Sequence, residues 1–220
     1  MTEVEWRAST EAKEMLDILR GKASSDRKLR LFACACCRRI WHLITDQRSH
    51  RAIEIAEHYA DGRADRERLI LARGEAREAK QQYLPTELAV KRRAANAAQD
   101  ATRDTGRSAA LNCMAETSRA VNDRDTNYCN PAEMHVQAVL LHDIFGNRFR
   151  PATLNSAWLT PKVKTLAQAI YDDRAFERMP ELANALAEAG CSNQDILSHC
   201  RGPGPHVRGC WVVDLVLGKE

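Results

Sequence analysis

Between residues 27 and 46 the chain reads RKLRLFACACCRRIWHLITD, and its apolar side chains return every three or four positions: Leu29, Phe32, Ala33, Cys36, Cys37, Ile40, Trp41 and Ile44. Such spacing places one continuous stripe along a helix of 3.6 residues per turn, whereas a half-buried strand needs strict alternation. Arg27, Lys28, Arg30, Arg38 and Arg39 flank the stripe. An amphipathic helix opened by Asp26 and ending near Asp46 is therefore expected, as the central helix of an all-α core.

The same period, with start and stop residues, recurs along the chain. Thr2 and Glu5 form a capping-box pair at the N-terminus, and Thr10 precedes a face of Ala12, Met15, Leu16 and Leu19 that Gly21 closes. A helix over 48–60 stops at Gly62. Residues 64–82 carry mixed-sign charges (Arg66, Glu67, Arg73, Glu75, Arg77, Glu78) typical of a solvated helical face. Pro85 interrupts, Thr86 restarts an Ala-rich helix that Gly106 ends, and Ser108 to Val121 follows. The polar stretch Asp123 to Asn130 separates an N-terminal part (1–122) from a C-terminal part (131–220).

Sharper punctuation marks the second part. Asn130-Pro131, Thr160-Pro161 and Pro180 each open a helix, and Gly146, Gly190 and Gly218 close them. Residues 147–160 are an irregular connector, and Ser192 with Asp195 caps a short helix to Cys200. The last segment, Val207 to Leu217, has strand-forming valines. Its spacing of Val207, Trp211 and Leu215 before Gly218 favours a helix. The expected architecture is an irregular multi-helix array of about nine to eleven helices, longer ones first and then a stack of short helical hairpins.

Composition narrows the class. With 220 residues, 44% of them hydrophobic, the chain can bury roughly 70% of its unfolded surface and needs no staples. No run of 18 apolar residues offers a membrane span, and the opening MTEVEWRAST has no apolar segment of a secretory signal. Eight Cys in such a chain read as reduced thiols of a cytoplasmic protein. Of 33 basic residues, 25 are Arg and 8 are Lys, yet 30 acids nearly balance them. That balance disfavours a protein that coats DNA.

Four groups of residues have the chemistry for a site. Cys191, His199, Cys200, His206 and Cys210 are zinc-ligand types gathered within twenty residues. His199 and Cys200 are adjacent, about 100° apart on a helix, and suit one ion poorly. His206 and Cys210 share a face if the last helix begins early enough. Otherwise these are buried thiols and hydrogen-bonded imidazoles. Cys34, Cys36 and Cys37 sit mid-helix, away from the N-terminal dipole that lowers a thiol pKa, and read as core. Glu133, His135, His142 and Asp143 share one helix, but Glu133 and His135 are two apart, not the three of a bundle metal motif. Arg148, Phe149 and Arg150 in the connector offer phosphate contact with base stacking, as do the Arg38-Arg39 and Lys91-Arg92-Arg93 clusters. No phosphate loop, dinucleotide fingerprint, nucleophile elbow or HExxH motif occurs.

Four stretches carry a resemblance. RKLRLFACACCRRIWHLITD, LHDIFGNRFRPATLNSAWLT, LAQAIYDDRAFERMPELANALAEAGC and ILSHCRGPGPHVRGCWVVDLVLGKE are similar to hypothetical proteins abundant in planctomycete bacteria. The resemblance implies a bacterial cytoplasmic origin and a GC-driven excess of Arg; it brings no site residues. The sequence reading is thus a non-enzymatic helical module that binds another protein and needs no cofactor. One alternative is a zinc-binding protein or enzyme using the C-terminal His and Cys; the other is an Arg-mediated nucleic-acid binder.

Overall fold

A computed structural model describes residues 1–19, 25–83, 89–122 and 128–219. Among them are twelve α-helices and no strand, so the chain is all-α. No described helix is long and apolar enough to cross a membrane. Contacts divide the chain into two compact units, Ser9–Ala138 and Met1–Ala8 with Val139–Glu220. The division falls inside one helix and assigns the first eight residues to the C-terminal unit, whereas the composition shift separates 1–122 from 131–220.

The larger unit holds α2 (Ala12–Ile18), α3 (Asp26–Arg39), α4 (Gln47–Ala60), α5 (Arg66–Gln81), α6 (Ala89–Ala101), α7 (Gly106–Ala120) and the first half of α8 (Pro131–Phe145). Helix α3 is central, packing on α4, α6 and α7, and Leu29, Phe32, Ala33, Cys36 and Cys37 are buried along it. It is shorter than the apolar stripe. The helix ends at Arg39, a 3₁₀ turn spans Trp41–Leu43, and Asp46 caps α4 by accepting the Arg48 amide at 2.8 Å. The stripe runs through the break because Ile40 and Ile44 stay buried in the turn. Ser25 supplies the cap of α3, and Asp26 is its first residue.

Asp26 has a different use. Its carboxylate accepts the backbone N–H of Gly106, which starts α7 and does not end α6. A Cβ on Gly106 would lie 2.1 Å from the Asp26 carbonyl oxygen. The glycine therefore permits close approach of two helix ends, with Thr105 as the cap of α7. Next to it Arg30, fully buried, donates to the carbonyls of Ala101 (3.1 Å), Arg103 (2.7 Å) and Asp104 (3.3 Å) and lies over the Tyr59 ring. One guanidinium thus satisfies the open carbonyls where α6 ends.

The smaller unit contains α1 (Glu3–Ala8), the second half of α8, α9 (Pro161–Asp173), α10 (Met179–Glu188), α11 (Gln194–Arg201) and α12 (Trp211–Leu217). Both halves of the capping box form: the Thr2 amide donates to Glu5 and the Glu5 amide to Thr2 Oγ1. Trp6, fully buried, anchors α1 by donating from Nε1 to the Gly146 carbonyl at 2.9 Å. Asn130, Thr160 and Asn193 cap α8, α9 and α11, the last in place of Ser192. The final segment is helical, but only from Trp211. The expected stop at Gly21, the break at Pro85-Thr86 and most of the 123–130 boundary lie outside the described residues.

Replacing Gly106 with Ala should destabilise the protein by about 2 kcal/mol, because two backbone segments must separate. Replacing Arg30 with Met should cost about 3 kcal/mol, since it strands buried carbonyls. Urea denaturation followed by circular dichroism measures both.

Candidate metal centre

Two short helices and the loop between them build the site, opposite the end of α8. The loop 202–210 (GPGPHVRGC) cannot be helical, with two prolines and Gly204 and Gly209 at φ +76° and +96°. It finishes in a tight turn, the Cys210 amide donating to the Val207 carbonyl at 2.9 Å, with Gly209 where such a turn needs positive φ. Arg208 pins the loop to α9: it donates to the Tyr171 carbonyl at 3.2 Å and lies 4.8 Å over the Tyr171 ring. A Cβ on Gly204 would come 2.9 Å from the His206 nitrogen, so the glycine lets the chain fold back over His206.

The result is a convergence. His206 Nδ1 lies 2.7 Å from Asp143 Oδ1, His199 Nε2 lies 3.1 Å from the same oxygen, and His199 Nε2 lies 3.2 Å from Cys210 Sγ. One donor atom from each of the four residues falls within 4.8 Å of every other. Asp143 and Cys210 are buried, and the imidazoles of His206 and His199 are 7% and 18% exposed. Asp143 is aimed by its other oxygen, Oδ2, which accepts the Val207 amide at 2.9 Å. The His199 ring rests edge-on against His206 and tilted against Trp211, at 4.8 and 5.0 Å between centroids.

Electrostatics follow from this burial. Burial alone would raise the Asp143 pKa, but the hydrogen bonds from His199 and His206 and their charge outweigh it, and the carboxyl sits below its usual range. Burial first, and then the Asp143 charge, push the Cys210 thiol well up, against the pull of the Val213 and Val212 amides. Such a thiol is no ready nucleophile. A Cys-His-Asp relay also needs the two imidazole nitrogens to face different partners. Here His199 Nε2 faces both the carboxylate and the sulfur, which is the geometry of donors around a common centre.

Zinc bonds of about 2.0–2.3 Å put tetrahedral donors some 3.2–3.8 Å apart. The three shortest contacts, 2.7–3.2 Å, would open by up to about half an ångström to match, and the widest separation in the set, up to 4.8 Å, would close. The donor set, one thiolate, two imidazoles and one carboxylate, suits zinc and not the oxygen-seeking magnesium or calcium. Beside it a pocket of about 270 Å³, lined by Trp6, Arg7, His142, Asp195, His199 and Trp211 among others, reaches His199, the most exposed of the four donors.

Of the five residues singled out in 191–210, His199, His206 and Cys210 come together; Cys191 and Cys200 do not join them and are buried in the apolar core of this unit. The Cys200 thiol is pushed up to about 12, chiefly by burial. Adjacent positions on α11 thus send His199 to the site and Cys200 to the core. His206 and Cys210 meet through the loop and share no helical face, because α12 starts after Cys210. Asp143 is the donor that chain spacing could not place there. It stands 63 positions from His206, and on α8 its neighbours in sequence were Glu133, His135 and His142. Glu133 instead forms a two-bonded pair with Arg39 at 2.8 and 2.9 Å.

The other candidates lie apart from this cluster. Cys34, Cys36 and Cys37 are buried, and burial raises the Cys34 and Cys36 thiols. Arg38 forks onto Glu57 and covers Trp41 at 4.0 Å. Lys91 is exposed and Arg92 and Arg93 half-buried on α6. In the connector, Arg148 lies 5.7 Å over the ring of Phe149, itself 42% exposed, and Arg150 faces Glu3 at 3.9 Å. Comparison with known families, curated proteins and solved structures finds no match for this chain.

All eight cysteines are free thiols, seven of them buried and Cys129 half-buried. Ellman's reagent should therefore titrate Cys129 first in the native protein and the remaining thiols only in denaturant. Fast native labelling of Cys210 would contradict its burial.

Proposed function

We propose that this protein binds one zinc ion through Asp143, His199, His206 and Cys210. The observation that supports it is the placement of four donor atoms within 4.8 Å of one another, with one imidazole nitrogen facing both an oxygen and a sulfur. Two further features favour the reading. The carboxylate is oriented by a backbone amide, as the outer shell of metal sites commonly does. The thiolate and the carboxylate together carry two negative charges, so a divalent ion leaves the buried cluster neutral.

Four protein donors fill a tetrahedral site and leave no position for a reacting water. The role proposed is accordingly binding and not catalysis. Neither the protein-interaction reading nor the nucleic-acid reading gains support of this kind. The exposed large apolar side chains, Val4, Ile70, Leu71, Tyr128 and Phe149 among them, are scattered over several elements, and Arg148-Phe149-Arg150 is one cluster on one loop, with Arg148 half-buried.

Protein purified without a histidine tag, then dialysed, should carry one zinc per chain by elemental analysis. Asp143→Ala, His206→Ala and Cys210→Ala should each weaken zinc binding by about 100-fold or more in competition with a chromogenic chelator. Cys191→Ala should leave stoichiometry unchanged. Absence of stoichiometric metal after refolding with zinc would end the proposal.

A further inference from the structure

The four donors are not spread evenly over the unit. Three bracket one loop: His199 in the last turn of α11, His206 within the loop and Cys210 immediately before α12. The fourth, Asp143, comes from the last turn of α8 and holds the same loop a second time, through the Val207 amide. An ion at this point therefore ties three helix ends, those of α8, α11 and α12, to a segment built of two glycine-proline pairs.

That segment needs such a tie. Helices of eight and seven residues, as α11 and α12 are, do not persist alone in water. Without an ion, the folded loop holds a buried carboxylate, a buried thiol and two imidazoles with one donor atom of each within 4.8 Å of every other. Each polar group costs free energy in that position. With a divalent ion, the four donor atoms share one partner and the cluster is neutral. Opening the loop reverses the loss only in the metal-free protein, so the free energy of metal binding becomes free energy of local folding.

Resting on the zinc reading above, we infer that the ion is a clasp. Its occupancy controls whether loop 202–210 and α12 stay docked on α8, α9 and α11, and α9 and α10 remain folded either way. The division has a physical basis. Helix α9 has a threonine cap, proline at its start and its own apolar face of Val163, Ala167, Ile170 and Tyr171. Helix α10 adds Leu182, Ala183 and Leu186 to the same core. The ion's route lies past His199, whose ring borders the pocket beside Trp6 and Trp211.

Hydrogen exchange of the full-length protein, read by mass spectrometry with zinc and after stripping with dipicolinate, tests the clasp. The amides of Val207, Cys210 and Asp214, which donate to Asp143 Oδ2, the Val207 carbonyl and the Cys210 carbonyl, report directly. They should exchange on the order of 1,000-fold faster in stripped protein than at a thousandfold excess of free zinc over its dissociation constant. Peptides from α3, α6, α9 and α10 should change little. Asp143→Asn and Cys210→Ser, close in size to the native residues, should exchange at these amides about 100-fold or more faster than the native protein at the same free zinc. Stoichiometric binding with unchanged exchange at 202–217 overturns the clasp and leaves the zinc reading intact. Faster exchange throughout α9 and α10 also overturns it, since the ion would then hold the whole unit. Failure to bind zinc at all removes both.

Discussion

A carboxylate that is 3% exposed must find compensating charge or hydrogen bonds inside the protein, and the C-terminal unit is arranged around that demand at Asp143. One oxygen takes a backbone amide from the loop that follows α11; the other draws two imidazoles and, through them, a thiol. Each contact fixes a chain end. Removing the carboxylate would leave the loop without its amide acceptor and the two histidines without their shared partner. Apolar burial holds the centres of these helices, but their ends meet at Asp143.

The larger unit answers the same demand with arginine. Arg38 and Arg39 each fork onto a buried glutamate, Glu57 and Glu133 respectively, and Arg30 is spread over the carbonyls at the end of α6. Lysine could not reproduce these contacts, because a single ammonium lacks the planar pair of donors that matches a carboxylate. Whatever set the frequency of arginine in this chain, several of its arginines act as internal carboxylate partners. A carboxylate paired to an arginine is a finished contact, whereas one paired to two imidazoles and a thiol can exchange protons for a metal ion.

The difference between legible and illegible features follows from range. Helices were readable because period, caps and stops are local: Thr2 with Glu5, Asn130-Pro131 and Thr160-Pro161 all act where the sequence places them. Errors of boundary arose where a local signal had a distant purpose. Gly106 reads as a stop, yet it is small because the Asp26 carbonyl lies against it. The apolar stripe of α3 continues into a 3₁₀ turn, since burial does not require an unbroken helix. The site divides the same way. His199, His206 and Cys210 were visible as ligand types, and the turn that unites the last two depends on Gly209. Asp143 was visible only as a member of its own helix, and nothing in the spacing of α8 shows which end of the chain packs against its last turn.

Cys200 and Cys210 show why residue type alone does not assign a ligand. Both are buried thiols in one apolar core, ten residues apart, with their pKa values raised first by burial. What separates them is the last turn of a helix. At Cys200 the α-helical rotation carries the side chain away from its neighbour His199, into the apolar core of the unit. At Cys210 the backbone has left one helix and not yet entered the next, so the thiol can face the imidazole across the loop. A cluster that needs four donors on one point is therefore most easily assembled at helix ends, where the chain direction is free to change. In this unit two of those ends belong to helices too short to stand alone, α11 and α12, which makes the side chains that join them part of the fold itself.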